Sequence, residues 1–285
     1  MSEPKLQGQH RISEIYLKQF GYKEKDKWML SVYELGKEFT TNVPIKSFTK
    51  ETNIFDLPID DIEERRHFEK KSSLVESRYP EVINSLKNKQ CLPKIGNDLL
   101  CHYVSNLMCR TVPFRNFIGA LLNESETRDK FINEMTMFAE KDSGIREVLS
   151  LLEIDDQVNV AIGTLMDHMV RVLRTFKQVI LRGHEGKFWM TTDNPVVVDR
   201  QGVYDWIVPI EAEIYFPLSR DFCLFMYHEE SEIQLNPLRK LEPNNIHEVD
   251  FSTYESINKK VVENLYQYLI TPIKMERTDV TGGVK

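Results

Sequence analysis

The spacing of apolar residues changes along the chain, and this change constrains the fold more than any other feature. Between about residues 62 and 182, apolar side chains recur every three or four positions, which is the spacing of amphipathic helices. Before this stretch, and again from about 186 to 228, they form short runs separated by Gly, Pro or Asn, as strands do. Because helices and strands are segregated, the pattern predicts an α+β fold, in a single domain over residues 1–285.

The predicted helical core is flanked by β-rich ends. At the N-terminal end, a helix from Ile12 to Phe20 precedes residues 28–33 and 38–43, which predict a β-hairpin. Near the C-terminus we predict an antiparallel β-rich region, followed by a terminal helix from about 254 to 270. The predicted strands of this region are 188–190, 196–198, 214–216 and 222–227.

Within the core, Pro80 is expected to break or bend the first helix, because Pro lacks a backbone N–H donor. The longest helix is predicted to bury a stripe that begins at Val158 and ends at Ile180. The predicted helices of the core are 72–86, 98–108, 114–122, 128–139 and 157–181.

One face of the longest predicted helix carries more basic than acidic side chains. Asp167, Arg171, Arg174, Gln178 and Arg182 recur there at intervals of three or four residues. A solvated face held by ion pairs is the simple interpretation. The alternative is that Arg171 and Arg174 form one wall of a phosphate-binding cleft.

Composition and charge indicate the class of protein. The chain has 285 residues, 41% hydrophobic residues and a formal net charge of −7. This charge argues against indiscriminate coating of nucleic acid or of an anionic membrane, but not against a local basic cleft. The four cysteines show no C-x-x-C pair, and no run approaches the ~18 apolar residues of a membrane span. Since no signal peptide is visible either, we predict a reduced cytoplasmic protein without a membrane partner.

Several short segments, taken in chain order, resemble one family of proteins. The segments are Gln9-His10, Tyr16-Leu17 with Phe20, Leu30–Tyr33, Glu51 with Asn53 and Phe55, Glu76, Arg110–Pro113, Thr192-Asp193-Asn194-Pro195-Val196, and Asn258. Together they resemble the large, mostly prokaryotic domain-of-unknown-function family numbered 4238, and the resemblance extends over the whole chain.

The resemblance has two departures and brings no reaction with it. Members of the family usually carry Pro at the position of Ser13. The element Arg110–Pro113 has one residue more than the Arg-Thr-Pro-like element of the family. Since the family name implies no established activity, the function has to be inferred from the residues.

Asp193 and Asn194 are the first candidates for a functional site. Asn before Pro is restricted to extended geometry, so the pair is held in one pose between apolar runs. One interpretation is structural, with the Asp193 carboxylate accepting backbone N–H bonds. In the other, Asp193 presents its carboxylate to a metal ion or to an attacking water, and Asn194 is a neutral co-ligand or donor.

Three more side chains are candidates of the same kind. His10 either binds a backbone carbonyl or acts as a metal ligand or general base. Glu76 borders an apolar helix face, where it needs a partner. Arg110 ends an apolar helix, and it forms either a buried ion pair with Glu76 or Asp193, or a bidentate contact with a phosphate or carboxylate.

Two functions of different class are consistent with these residues. The first is a metal-dependent hydrolase of phosphodiesters, which would suit a nuclease-like effector of phage defence or of a toxin–antitoxin system. Its Mg²⁺ or Mn²⁺ would activate water, and its substrate would be a nucleic acid. The second is a non-enzymatic module that senses a ligand or binds a protein regulator, and its polar motifs are structural. The roles in the hydrolase would be catalysis by Asp193, His10 and Glu76, metal binding by Asp193, Glu76 and Glu51, and substrate binding by Arg110, Arg171, Arg174 and Asn194.

Overall fold

The computed structural model of the protein describes residues 6–89, 91–138, 144–199, 208–231 and 236–274. It confirms the predicted α+β class. Within the described ranges, none of the helices combines the length and the apolar character that crossing a bilayer requires. The helices are α1 (Glu14–Leu17), α2 (Ile62–Arg65), α3 (His67–Ser77), α4 (Tyr79–Lys89), α5 (Lys94–Arg110), α6 (Val112–Asn123), α7 (Ser125–Phe138), α8 (Ile145–Leu151), α9 (Ile154–Leu173) and α10 (Phe251–Glu263).

The strands of the described ranges form two five-stranded sheets and one two-stranded ribbon. The strands are β1 (Gly8–His10), β2 (Tyr22–Glu24), β3 (Lys27–Glu34), β4 (Thr40–Pro44), β5 (Lys50–Thr52), β6 (Lys177–Arg182), β7 (Thr191–Thr192), β8 (Val197–Asp199), β9 (Glu213–Pro217), β10 (Phe222–Tyr227), β11 (Ile246–Glu248) and β12 (Tyr268–Thr271). In the N-terminal sheet β3 pairs with β2, β4 and β12, and β12 also pairs with β7. The pairing of β3 with β4 confirms the predicted hairpin. The ribbon joins β1 to β5.

The C-terminal sheet is covered on both faces. Its order is β11-β6-β10-β9-β8, and only β11 and β6 are parallel. All six residues of β10 are buried, and their side chains alternate between two clusters. Leu224 and Met226 belong to the main core with the helices, whereas Phe225 packs with Ile257 of α10 on the other face. A strand buried on both faces is a continuous apolar run, so Phe222–Tyr227 was predicted with its observed bounds.

Three buried tyrosines connect α1, α4 and α5 to the sheets. The rings of Tyr79 and Tyr103 stack with their centroids 4.1 Å apart, and the ring of Tyr16 stacks on Phe216 at 5.4 Å. Each hydroxyl has a partner, as buried hydroxyls require. The partners are Thr191 Oγ1 at 2.6 Å and the Pro217 carbonyl at 2.9 Å for Tyr16, the Leu218 carbonyl at 2.5 Å for Tyr79, and Ser13 Oγ at 2.7 Å for Tyr103. The cluster therefore positions the N-terminal segment against the helices and both five-stranded sheets.

Ser13, which stands where the family usually has Pro, begins α1. Its hydroxyl accepts the backbone N–H of Tyr16 at 3.3 Å and so caps the helix. The helix itself is shorter than the predicted Ile12–Phe20, because the backbone N–H groups of Gln19 and Phe20 bond three residues back, to Tyr16 and Leu17.

Two predicted helices extended too far and were wrong at their C-terminal ends. The helix predicted for 157–181 ends at Leu173, and residues 177–181 belong to β6. Ile180 continues the helical spacing, but it lies opposite Leu224 in the sheet. The terminal helix ends at Glu263, and residues 268–271 pair with β3 and β7. In both places long-range strand pairing outweighed a local pattern that suited a helix as well.

Other boundaries also differ from the predictions. Residues 188–190, predicted as a strand, lie outside any strand, and Trp189 is held by a hydrogen bond from its backbone N–H to the Arg220 carbonyl. The first helix of the core is divided at Arg78, since Pro80 falls in the first turn of α4, where its missing N–H has no cost. The short helices α2 and α8 were not predicted. Residue 139, the last of one predicted helix, lies outside the described residues.

The tyrosine cluster yields a test of stability. We expect Tyr16→Phe to lower the free energy of unfolding by about 1–3 kcal/mol, because it leaves buried groups at Thr191 and Pro217 without their partner. Tyr22→Phe is the matched control, since the buried Tyr22 hydroxyl has no hydrogen-bond partner among the described residues. Urea unfolding measures both variants, and equal losses in the two would contradict the assigned role of the Tyr16 hydroxyl.

Candidate functional site

Arg110, at the C-terminal end of α5, is the most deeply buried of the predicted site residues that carry charge. Its side chain is 4% exposed. Its Nη2 donates to Glu69 Oε1 at 2.7 Å and to the His10 carbonyl oxygen, and its Nη1 donates to Glu76 Oε1 at 3.3 Å. The ion pair with Glu76 is one that the sequence suggested. These contacts join the N-terminal segment to α3 and α5.

Glu76 has an unusual proton affinity in this cluster. Burial raises the pKa of Glu76 to about 7, although the Arg110 guanidinium opposes the shift, and the neighbouring Glu69 adds repulsion. Two carboxylates share one guanidinium here, so they are not fully neutralised when both are ionised. Glu69 was not singled out from the sequence, but it lies seven residues before Glu76 and therefore on the same face of α3.

Phe55 and its neighbours extend the cluster. The guanidinium carbons of Arg110 and Arg115 lie 4.4 and 5.3 Å from the centroid of the Phe55 ring. Gln9 holds this segment, since its amide donates to Asp56 Oδ1 at 2.5 Å and accepts the Phe55 N–H at 2.7 Å. Arg115 donates to Asn159 Oδ1 at 2.8 Å, and burial lowers the pKa of Arg115 to about 10.

His10 and Glu51 lie on the ribbon of β1 and β5. In its register His10 is opposite Lys50, and Gln9 is opposite Glu51. His10 Nε2 is 3.1 Å from the Lys46 carbonyl and 3.6 Å from Glu14. Glu51 is paired with both Nε and Nη2 of Arg11. The ribbon thus brings the start of the chain beside the segment that contains Phe55.

Asp193 and Asn194 join the loop after β7 to the end of α10. The Asp193 carboxylate accepts the backbone N–H groups of Tyr266 and Gln267 at 3.0 Å. Burial raises the pKa of Asp193, and these hydrogen bonds oppose the shift. The side-chain amide of Asn194 donates to the Asn264 carbonyl at 3.1 Å.

Asn264 also holds the loop after β7, although the sequence did not single it out. Its amide donates to the Asn194 carbonyl at 2.7 Å and to the Val196 carbonyl at 3.1 Å. Asn258, the late Asn of the family resemblance, has a different partner, since its side-chain oxygen accepts the Met190 N–H. The sequence feature that could have indicated Asn264 is its position after the last turn of α10, where Asn commonly ends a helix.

The two arginines of the α9 face have different surroundings. Arg174 is paired with Asp98 of α5, at 2.6 Å between Nε and Oδ1. Arg171 lines a cavity between α3, α8 and α9, and no carboxylate of the described ranges forms an ion pair with it. Arg174 does not line that cavity.

A second cavity, which we call the motif cavity, has a volume of about 560 Å³. Four segments of the family resemblance contribute to its wall. Val32 belongs to the Leu30–Tyr33 segment, Glu51 to the segment with Asn53 and Phe55, Val112 to the Arg110–Pro113 element, and Asp193 to the segment around Asn194. Arg11, which directly follows Gln9-His10, lines the cavity as well. The remaining wall is formed mainly by the β3–β4 hairpin and by residues 266–268.

The motif cavity contains charges of both signs and an aromatic wall. Arg11 Nη1 is buried and has no hydrogen-bond partner among the described residues. Glu34 is neutralised by Lys37 at 2.5 Å. The rings of Phe48 and Tyr268 meet edge to face at 5.2 Å between centroids. Sequence reasoning missed four of the charged residues that line this cavity, which are Arg11, Glu34, Lys37 and Lys50. Arg11 was the easiest to find, because it directly follows Gln9-His10.

The predicted metal ligands are only partly brought together. Asp193 and Glu51 line the motif cavity, whereas Glu76 lies against Arg110. Across the part of the chain that the structure describes, no three His, Cys, Asp or Glu side chains are grouped so that they could hold a metal ion.

We expect Glu76→Gln to remove a pH dependence of stability. The folded state keeps a proton on Glu76 between pH 4.5, where an exposed glutamate titrates, and about 7. The contribution of Glu76 to the free energy of unfolding is therefore largest below pH 4.5 and declines as the pH rises through about 7. Gln resembles the protonated carboxyl but does not titrate. Urea unfolding of both proteins across this interval measures the effect, and parallel pH profiles would contradict it.

The comparison with known proteins gives a family and no activity. The sequence model of the family described as "Protein of unknown function (DUF4238)" matches residues 8–272. No curated protein and no solved structure matches the chain significantly. Since the match covers nearly the whole chain, from β1 to the end of β12, the protein belongs to this family.

Proposed function

We propose that this protein is a ligand-binding module, and that its motif cavity takes a small polar molecule with an anionic group. The observation that carries the proposal is the meeting of four segments of the family resemblance around one cavity. Arg11 also lines this cavity, and its buried Nη1 has no hydrogen-bond partner among the described residues. This is the non-enzymatic alternative suggested by the sequence, and we place it in the cytoplasm.

The contacts of the polar motifs support a structural role for them. Arg110 is occupied by Glu69, Glu76 and the His10 carbonyl. Asp193 is occupied by two backbone N–H groups. Groups that are already bonded in this way keep the cavity walls in place, and a ligand would not have to displace them.

The charges of the motif cavity support an anionic ligand. A guanidinium binds carboxylates and phosphates through several N–H donors, and Arg11 uses only part of its set on Glu51. Lys50 also lines the cavity and forms no ion pair with a described residue. Glu34 does not repel an anion strongly, because Lys37 neutralises it.

The metal-dependent hydrolase remains a second proposal, and one observation favours it. Asp193 and Glu51, two of the three predicted ligands for Mg²⁺ or Mn²⁺, line the same cavity. A phosphodiester of a nucleic acid would then be bound by the same arginine that we assign to an anionic ligand. The two proposals therefore share a site and differ in whether chemistry occurs there.

The ligand-binding proposal is tested by thermal-shift screening of nucleoside monophosphates, dicarboxylates and amino acids, followed by calorimetry of the hits. We expect Arg11→Gln to weaken binding about tenfold or more, since it removes a charge-assisted hydrogen bond. Arg78→Gln is the matched control, because Arg78 is exposed and paired with Glu81, and it should bind as the wild type does. The absence of any hit, together with native mass spectra without a retained small molecule, would overturn the proposal.

A cleavage assay separates the two proposals. Structured RNA, single-stranded DNA and plasmid are incubated with the protein and Mg²⁺, Mn²⁺ or EDTA, and we expect no metal-dependent cleavage. Glu51→Gln is the informative variant, because the Glu51 side chain is 45% exposed and the loss of its charge should not unfold the protein. Cleavage that needs the metal and disappears in Glu51→Gln would establish the hydrolase instead.

A further inference from the structure

The cavity beside Arg171 differs in chemistry from the motif cavity. It has a volume of about 530 Å³ and lies between α3, α8, α9 and residues 57–59. None of its lining residues lines the motif cavity. A ligand here would therefore be a different one, bound independently.

Apolar side chains form most of this second cavity. Ile59 is 38% exposed and Val148 is 44% exposed, so both present uncovered apolar surface. The floor is the ring of Phe68, which packs directly on the backbone of Gly163. A Cβ at position 163 would lie 2.0 Å from Phe68 Cζ, so glycine is what lets the ring approach α9. Ile145, Leu152 and Val160 complete the apolar walls.

Among the described residues, the edge of this cavity has one positive charge without an ion-pair partner. Lys71 and Asp167, which both line it, are paired with each other. Arg171 has no ion-pair partner among the described residues. His168 also lines the cavity, and its pKa is lowered first by burial and second by the positive charge of Arg171. The edge is thus cationic, and the interior is apolar.

We propose that this cavity binds an amphipathic carboxylate, an apolar chain with a single acidic group such as a medium-chain fatty acid. The carboxylate pairs with the guanidinium of Arg171. The chain covers Ile59, Val148 and the ring of Phe68, and the burial of this apolar surface favours binding. This site goes beyond the function proposed for the motif cavity and does not depend on it.

The test is calorimetric titration of the full chain with decanoate and with decan-1-ol, which has the same chain length but no charge. We expect decanoate to bind the wild type with one-to-one stoichiometry. Arg171→Gln should weaken decanoate about tenfold or more and leave decanol unchanged. Arg174→Gln is the matched control, because Arg174 directly follows the same helix but is paired with Asp98, and the variant should bind decanoate normally.

A second variant tests the apolar wall. Val148→Asp replaces an exposed side chain, so the variant should fold. The added carboxylate should repel decanoate and weaken its binding at least as much as Arg171→Gln does. The proposal is overturned if the wild type binds no decanoate, if Arg171→Gln binds it unchanged, or if Val148→Asp has no effect. Arg11→Gln should keep decanoate binding, so failure of the motif-cavity proposal would be distinguishable from failure of this one.

Discussion

The burial of the Arg110 guanidinium is the constraint on which the arrangement of the N-terminal half depends. A charge taken out of water costs several kcal/mol unless it is paired and hydrogen-bonded. Both Nη atoms of Arg110 meet this demand, with carboxylates from two turns of α3 and with the carbonyl of His10, whereas its buried Nε has no partner among the described residues. Each of these partners belongs to a different stretch of sequence from Arg110. The ribbon, α3 and α5 therefore have to come together for the charge to be tolerated.

The motif cavity follows from this arrangement. Arg110 holds the His10 carbonyl, and the next residue, Arg11, pairs with Glu51 and lines the cavity. On the far wall, Asp193 and Asn194 hold the loop after β7 to the end of α10, and Asn264 returns the bonds. Polar residues that were catalytic candidates in the sequence thus form hydrogen bonds that hold the wall of the motif cavity.

The resemblance to the family and the α+β class could be recognised from the sequence. The ion pair of Arg110 with Glu76 was one of the alternatives that the sequence left open, beside Asp193 and a bound phosphate or carboxylate. The role of each candidate site residue could not be predicted from the sequence. Arg171 lies in the last turn of α9 and Arg174 directly follows this helix, yet only Arg174 of these two forms an ion pair with a described residue, because Asp98 is supplied by α5. Asp193 and Glu51 share a cavity while Glu76 does not, and no local pattern distinguishes these three carboxylates.

What the sequence determined by itself was the set of elements whose pattern is local. The hairpin of β3 and β4, the buried stripe of α9 up to Leu173 and the apolar run of β10 all follow from periodicity. Tertiary structure decided the segments that suited two states. Residues 177–181 and 268–271 became strands because partner strands were available at β10 and β3. It also decided which polar groups are satisfied, since the partners of a buried charge lie far away in the sequence and are chosen only when the chain folds.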